Sequence, residues 1–177
     1  MNAINIQLPI SQDTINSLVA GQKVYLTGTF ITARDSAHKR IIDLISQNKP
    51  LLFEIKNQGI YYCGPTPAKI GFPIGACGPT TSGRMDSYVK TLFENGLKFM
   101  IGKGKRNQEV KDTIMKHKGI YFIATGGAGA LYAKCVKKCT CIAWEDLGAE
   151  AVYSLEVETF PLYVGLDIYG NDIYNLS

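Results

Sequence analysis

The sequence lacks a long hydrophobic run. Hydrophobic residues make up 46% of its 177 residues, yet no apolar stretch approaches the roughly 20 residues that a membrane-spanning helix needs. The opening residues, MNAINIQLPISQDT, contain neither a basic leader nor an apolar segment of the kind that directs secretion. From these absences we expect a cytoplasmic protein that makes no use of a membrane.

Charge is also scarce, because only 19% of the residues are charged and the net charge is +4. The basic residues form short clusters, KGKR and KCVKK, and not the extended stripe that is typical of nucleic-acid-binding proteins. We therefore expect these clusters to bind a small anion or to form a solvated face, and we expect no nucleic acid as ligand. Internal repeats, low-complexity tracts and linker-like changes of composition are absent as well, which predicts a single domain over residues 1–177.

Cysteines occur in an odd number that does not suggest a disulfide framework, so we expect reduced thiols. The five are Cys63, Cys77, Cys135, Cys139 and Cys141. The last three have C-x3-C-x-C spacing that could hold a metal ion, but CTCIAW is typical of a strand. We favour small buried thiols near a helix-to-strand junction, and we expect no metal ligands in this chain.

Hydrophobic periodicity predicts strands in the first third and strict strand–helix alternation in the middle of the chain. Strands are predicted in INIQLPI, KVYLTGTFITA, LLFEI, GIYYCG, LKFMIGKG, IYFIATGG, CTCIAW and the tail AVYSLEVETFPLYVGLDIYGNDIY. Helices are predicted in SQDTINSLVAG, RDSAHKRIIDLISQN, MDSYVKTLFENG, NQEVKDTIMKHKG and AGALYAKCVKK. This order predicts an α/β fold with a mixed, partly parallel sheet covered by helices.

The chemically suggestive residues follow predicted strands, where α/β folds bind ligands. They are Arg34, Thr80 to Arg84, Lys103, Gly126 and Gly127. The glycine pair opens ATGGAGALYA, which does not match a dinucleotide fingerprint because Tyr132 occupies the third glycine position. We expect a tight strand-to-helix turn there.

The stretch GACGPTTSGRMDSYV combines a turn, three hydroxyls and an arginine at the start of a predicted helix. Thr80, Thr81 and Ser82 would present hydroxyls beside free helical amides, and Arg84 follows Thr80 by one turn. The alternative is a helix cap with Asp86 in the first turn. Because a cap requires only one hydroxyl, the pattern favours an anion site.

The stretch ITARDSAHKR places further charged side chains around a helix start. Asp35 fits a structural role as a cap or as a partner of the helix dipole. His38 is more typical of a packing residue than of a catalytic one. Arg34 ends a strand, where a guanidinium can bind a carboxylate through two parallel hydrogen bonds.

Four segments in this order, TGTFITARDSAHKR, GPTTSGRMDSYV, IGKGKR and ATGGAGAL, resemble the β subunit of class I fumarate hydratase and of L-tartrate dehydratase. The likeness covers nearly the whole chain and extends to the carboxy-terminal domain of single-chain members. It implies a swivelling β/β/α domain. It also implies an α subunit, in an α2β2 assembly, that holds an oxygen-sensitive [4Fe-4S] cluster, while this chain alone binds no cofactor.

The resemblance also implies roles for individual residues. Substrate contacts fall on Arg34, Thr80, Arg84 and Lys103, with Thr81 as a further binding residue, and Lys105 is the alternative to Lys103. Thr80 matches the family's proposed catalytic base, and iron of the partner would act as the Lewis acid. The expected reaction is reversible hydration of fumarate to malate, on a small dicarboxylate substrate. The alternatives are conversion of tartrate to oxaloacetate and a dicarboxylate-binding module without catalysis.

Overall fold

A mixed sheet of seven strands and five α-helices makes up residues 2–176, which the computed structural model describes. The strands are β1 (Ile4–Gln7), β2 (Lys23–Thr32), β3 (Gly59–Tyr61), β4 (Phe99–Gly102), β5 (Ile120–Ile123), β6 (Val136–Ala143) and β7 (Val152–Leu166). The helices are α1 (Gln12–Ser17), α2 (Asp35–Ser46), α3 (Asp86–Glu94), α4 (Gln108–His117) and α5 (Gly129–Cys135). Short 3-10 helices occupy Ser82–Met85, Glu145–Glu150 and Ile173–Asn175.

The sheet is partly parallel, as predicted. Its strand order is β1-β2-β3-β4-β5-β7-β6, and β1 to β5 run parallel to one another. The 15-residue strand β7 is antiparallel to β5 and β6 and pairs with β2 as well. Because β7 bonds to both β2 and β5, the strands β2, β3, β4, β5 and β7 close into a ring.

Both faces of the ring are buried, because successive side chains of a strand point to opposite faces. Tyr61 packs inside the ring, where its aromatic ring meets those of Phe30 and Phe160 at centroid distances of 6.0 and 5.5 Å. Its neighbours Ile60 and Tyr62 belong to the outer cluster, against which α2, α3 and α4 pack. The parallel strands therefore read as continuous hydrophobic runs.

Four element predictions were wrong in detail. The strand predicted throughout the tail ends at Leu166, and Ile173–Asn175 form a 3-10 helix. LLFEI forms no strand, and the helix predicted in SQDTINSLVAG ends at Ser17. The helix predicted in AGALYAKCVKK ends at Cys135, where β6 begins at once, because Val136 and the residues after Lys137 pair with β7. Within residues 2–176, no helix has the length and apolar character needed to cross a bilayer.

Candidate functional site

The carboxyl ends of four parallel strands meet at one edge of the ring. Backbone hydrogen bonds continue just past the strands, from Ala33 N–H to Tyr61 O (3.1 Å) and from Ala124 N–H to Gly102 O (2.8 Å). Arg34 follows β2, Lys103 follows β4, and the Gly126–Gly127 turn follows β5. All the predicted site residues that follow strands therefore lie along the same edge.

The segment that carries the two threonines is joined to this edge by its backbone. The Thr80 N–H donates to Tyr62 O at 2.7 Å, and the Ser82 N–H donates to Lys103 O at 2.9 Å. Thr81 also pairs with Lys103 in an isolated parallel bridge. Thr80 and Thr81 thus lie between the ends of β3 and β4.

The hydroxyls in this segment do not cap a helix, so the capping alternative was wrong. Thr81 precedes the 3-10 helix Ser82–Met85 and makes no side-chain capping bond, and neither does Met85 before α3. The Ser82 hydroxyl is buried 2.8 Å from the Tyr121 hydroxyl, so it is not presented to a ligand. Of the three hydroxyls, those of half-buried Thr80 and exposed Thr81 remain for binding.

Arg84 is held by Asp35 in a two-pronged ion pair. Its Nε donates to Oδ1 at 3.1 Å and its Nη2 donates to Oδ2 at 2.7 Å. The hydrogen bond from Arg84 lowers the pKa of Asp35, and the same bond raises the pKa of Arg84. Asp35 does lie in the first turn of α2, as predicted, but its pairing with Arg84 was not foreseen. The pair joins the start of α2 to the threonine segment.

Arg34 has a buried donor without a partner. Within residues 2–176, no atom accepts a hydrogen bond from its buried Nε. The side chain lies against Gly64, where a Cβ atom would be only 2.9 Å from both Cδ and Nη1 of Arg34. A Cβ atom at this position would therefore force the Arg34 side chain to shift. A carboxylate is the kind of acceptor that would satisfy it.

The two candidate lysines point in different directions. The position of a Cβ atom at Gly126 lies 3.6 Å from Cδ and 3.9 Å from Nζ of Lys103, so this side chain covers the turn after β5. Lys105 is exposed, and its Nζ lies 5.8 Å from the ring centroid of Tyr174 near the end of the chain. Lys103 is thus the lysine beside the other predicted site residues.

His38 is a packing residue, as predicted. It is fully buried, stacks on Tyr88 at a centroid distance of 5.4 Å, and lies with Nδ1 2.8 Å from the carbonyl oxygen of Arg34. Burial lowers its pKa from 6.5 to about 4, so the imidazole is neutral near pH 7. A neutral Nδ1–H donates to Arg34 O and supports the backbone of that arginine.

Arg106 is a buried cation that the sequence did not single out. Its Nε donates to Asp86 Oδ1 at 2.6 Å, and the Asn107 N–H donates to Asp86 Oδ2 at 2.9 Å. The guanidinium lies 4.8 Å from the ring centroid of Tyr121 and 5.3 Å from that of Tyr62. The contacts fasten the loop after β4 to the start of α3. In the sequence Arg106 is indistinguishable from its basic neighbours, because no local pattern marks it as buried.

The cysteines do not form a metal site within residues 2–176, where no group of three His, Cys, Asp or Glu side chains could hold an ion. Cys63 and Cys77 are buried neighbours, and the hydrogen bond that the Cys63 thiol donates to Cys77, together with burial, raises the pKa of Cys63, while the same bond lowers the pKa of Cys77. Cys135 ends α5 directly before β6, at the predicted junction. Burial raises the pKa of Cys139 to about 11. Cys135 and Cys139 are half-buried and Cys141 is exposed, so the expectation of buried thiols was wrong for this group.

Comparison with known proteins identifies the family. Residues 1–177 match the family model described as "Fumarase C-terminus". The chain belongs to the fumarase C-terminus family. The resemblance inferred from the four sequence segments is thereby confirmed.

Relatives of this fumarase C-terminus chain are of two kinds. It is 39% identical over 176 residues to fumarate hydratase 2 of Leishmania major, covering 97% of this chain and 31% of that protein. It is 44% identical over 154 residues to the anaerobic class I fumarate hydratase of Escherichia coli, covering 86% of this chain and 28% of that protein. It is 32% identical over 170 residues to the Escherichia coli L(+)-tartrate dehydratase subunit beta, covering 93% of this chain and 83% of that protein. The chain thus spans less than a third of the fumarate hydratases that it matches.

Proposed function

We propose that this chain is the β-type part of a hydro-lyase that interconverts fumarate and malate at an active site shared with an α subunit. The placement of three cations at one edge of the ring carries the proposal. Arg34 follows β2, Lys103 follows β4, and Arg84 lies in the 3-10 helix Ser82–Met85 that is bonded to Lys103. A four-carbon dicarboxylate has a carboxylate at each end, and guanidinium groups bind carboxylates through paired, charge-assisted hydrogen bonds. Arg34 adds a buried donor that lacks an acceptor within residues 2–176.

The same cations suit the chemistry of the reaction. Removing a proton from the carbon next to a carboxylate builds negative charge on that carboxylate, and cations already in place stabilise this charge in the transition state. We assign the base to Thr80, whose oxygen would take the proton. A hydroxyl is a poor base unless its alkoxide is favoured, so Arg84 or Lys103 must supply that effect. The backbone bond from Thr80 to Tyr62 supports a fixed position for the side chain.

In this proposal, the α subunit assists the departure of the hydroxyl group. The residues of this chain do not fit an iron–sulfur cluster, because no suitable group of three ligands occurs within residues 2–176. We therefore assign the [4Fe-4S] cluster to the partner. We further propose a cytoplasmic α2β2 assembly in which this chain acts as a swivelling domain against the α subunit.

A second candidate is the dehydration of L-tartrate to oxaloacetate. The matches to two tartrate dehydratase β subunits cover 83% and 88% of those proteins, whereas the matches to the two fumarate hydratases cover 31% and 28%. Tartrate is also a four-carbon dicarboxylate, so the same three cations would bind it. The proton is again removed from a carbon next to a carboxylate.

The test is a substrate comparison with the reconstituted pair. The α subunit is the polypeptide of the same organism that matches the remaining part of class I fumarate hydratases, and the pair is assayed without oxygen on fumarate, malate and L-tartrate. We expect turnover of fumarate and malate. Turnover of tartrate alone would establish the second candidate. Saturable binding of all three without turnover would reduce this chain to a binding module.

A further inference from the structure

An exposed apolar loop stands beside the candidate site. It spans residues 65–76 between β3 and the threonine segment. Ile70 is fully exposed and Phe72 is 67% exposed. Between this loop and α5 lies a groove of about 590 Å³, whose apolar lining includes Pro67, Phe72, Pro73, Ile74, Ala130 and Ala133. We call this space the apolar groove.

The loop is closed at its base by two hydrogen bonds between Thr66 and Ala76. The Thr66 N–H donates to Ala76 O at 3.0 Å, and the Ala76 N–H donates to the Thr66 hydroxyl at 2.8 Å. A Cβ atom at Gly75 would clash with the Thr66 backbone carbonyl, so glycine is required for this closure. A fixed apolar surface that stays exposed in the isolated chain is typical of an interaction site.

Both walls of the apolar groove are formed by segments that adjoin candidate-site residues in the chain. The loop begins directly after Gly64, which contacts Arg34, and it leads into Thr80. The other wall is α5, which begins two residues after the Gly126–Gly127 turn covered by Lys103. The Cys77 N–H donates to Gly129 O at 3.2 Å, so α5 is also bonded to the segment that leads to Thr80.

We infer that the apolar groove is the docking surface for the α subunit. The inference rests on the proposed function, which requires a second polypeptide at this edge. The lengths of the relatives support this inference. This chain covers only 31% and 28% of two fumarate hydratases, so most of the sequence of those proteins has no counterpart in this chain. The described residues that line the groove include Lys69 and Lys134 and no carboxylate. The docking segment should therefore present apolar side chains flanked by Asp or Glu.

The test is the affinity of Phe72→Ser for the α subunit, measured by calorimetry under anaerobic conditions. Truncating a central aromatic anchor of an interface typically weakens binding by about tenfold or more, which is the loss that we expect here. Leu52→Ser is the matched control. Leu52 is 63% exposed, and it lies in the segment that leads into the opposite, amino end of β3. That variant should bind the α subunit as the unchanged chain does.

Each outcome has a separate meaning. Circular dichroism and thermal unfolding of the Phe72→Ser chain show whether the exposed substitution leaves the fold intact, and hydrogen exchange of residues 66–76 should slow when the α subunit is added to the unchanged chain. Equal affinity of Phe72→Ser and the unchanged chain, or unaltered exchange in the loop, would overturn the inference alone. Failure of the unchanged chain to bind the α subunit would overturn the proposed function together with it. Self-association that Phe72→Ser abolishes would assign the groove to a second copy and overturn the inference.

Discussion

Arg84 and Asp35 form the ion pair that most directly concerns the site. Both side chains are partly exposed, at 49% and 41%, so their attraction is screened by water and contributes little to stability. The ion pair instead orients Arg84, because Asp35 accepts hydrogen bonds from Nε and Nη2 and fixes the plane of the guanidinium. Asp35 is thus a positioning residue for Arg84.

The variant Arg84→Lys should impair the reconstituted enzyme while leaving the fold intact. Lysine keeps the charge but loses the planar, two-pronged geometry. Because a hydrogen bond to a charged group contributes roughly 1.5–3 kcal/mol, we expect kcat/KM to fall about tenfold to a hundredfold. Steady-state kinetics with malate measure the loss.

Arg40→Lys is the matched control for that experiment. Arg40 lies on α2 and makes a similar two-pronged pair with Asp146, at 2.9 and 2.6 Å, away from the site. This variant should keep normal kinetics. If Arg84→Lys and Arg40→Lys behave alike, Arg84 serves only to join α2 to the threonine segment.

His38 should make the stability of the chain depend on pH. Its pKa is lowered by burial from 6.5 to about 4, so between these values the unfolded chain takes up a proton that the folded chain does not. This contribution is complete above pH 6.5 and is lost as the pH falls towards 4, by a total of about 3 kcal/mol.

The measurement is urea unfolding at several pH values between 4 and 7. In His38→Gln, the part of the pH dependence of the free energy of unfolding that His38 causes should disappear. His117→Gln, which changes the other histidine, serves as the control. If the free energy of unfolding of His38→Gln depends on pH as that of the unchanged chain does, other groups cause the loss of stability at low pH.

At the scale of elements, the local hydrophobic pattern located most helices and strands, but it did not predict which elements become neighbours. α2 could be predicted because Ala37 and Ile41 recur at helical spacing. LLFEI has strand-like composition, yet β3 already occupies the place between β2 and β4, so the segment finds no neighbour. The closure of the ring by β7 depends on contacts between distant residues, which no local pattern encodes.

The candidate site, too, could be predicted from the sequence only in part. The strand-end positions of Arg34 and Lys103 follow from the alternation of strands and helices. The use of Ser82 for a buried bond to Tyr121, and the burial of Arg106 beside Asp86, depend on which strands become neighbours. These features could not be predicted from the sequence, because a hydroxyl or a cation looks the same in the sequence whether it is buried or exposed.

The contact between β4 and the threonine segment requires Gly102. A Cβ atom there would overlap Ser82 Oγ and lie 2.7 Å from the ring of Tyr62. Gly102→Ala should therefore lower the free energy of unfolding by about 1–3 kcal/mol, which is typical of an overpacked core. Urea unfolding measures this difference.

Gly83→Ala is the control in the neighbouring 3-10 helix. The nearest atom to a Cβ at Gly83 is 3.9 Å away, an ordinary van der Waals contact, so the free energy of unfolding should change little. If Gly102→Ala proves as stable as Gly83→Ala, the close packing of Ser82 and Tyr62 does not hold the threonine segment in place.

At the scale of the whole molecule, the proposed function divides one reaction between two polypeptides. In that proposal this chain would supply the cations and the base, and the α subunit would supply the iron–sulfur cluster. The division predicts that proton transfer and loss of the hydroxyl can be impaired separately. Exchange of solvent deuterium into malate isolates the proton-transfer half, so it tests the part assigned to this chain.

The most direct measurement compares this exchange, alongside turnover, in reconstituted pairs that carry Thr80→Val or Thr81→Val. Valine removes the hydroxyl and nearly keeps the shape. Because a general base contributes about a hundredfold to ten-thousandfold, Thr80→Val should lose exchange and kcat by at least about a hundredfold while KM changes little. Thr81→Val loses a predicted binding hydroxyl but no helix-capping bond, so its effect should be milder and should appear in KM, with exchange and kcat largely retained. Preserved exchange in Thr80→Val, with equal and modest losses in the two variants, would contradict the account and place the base on the partner subunit.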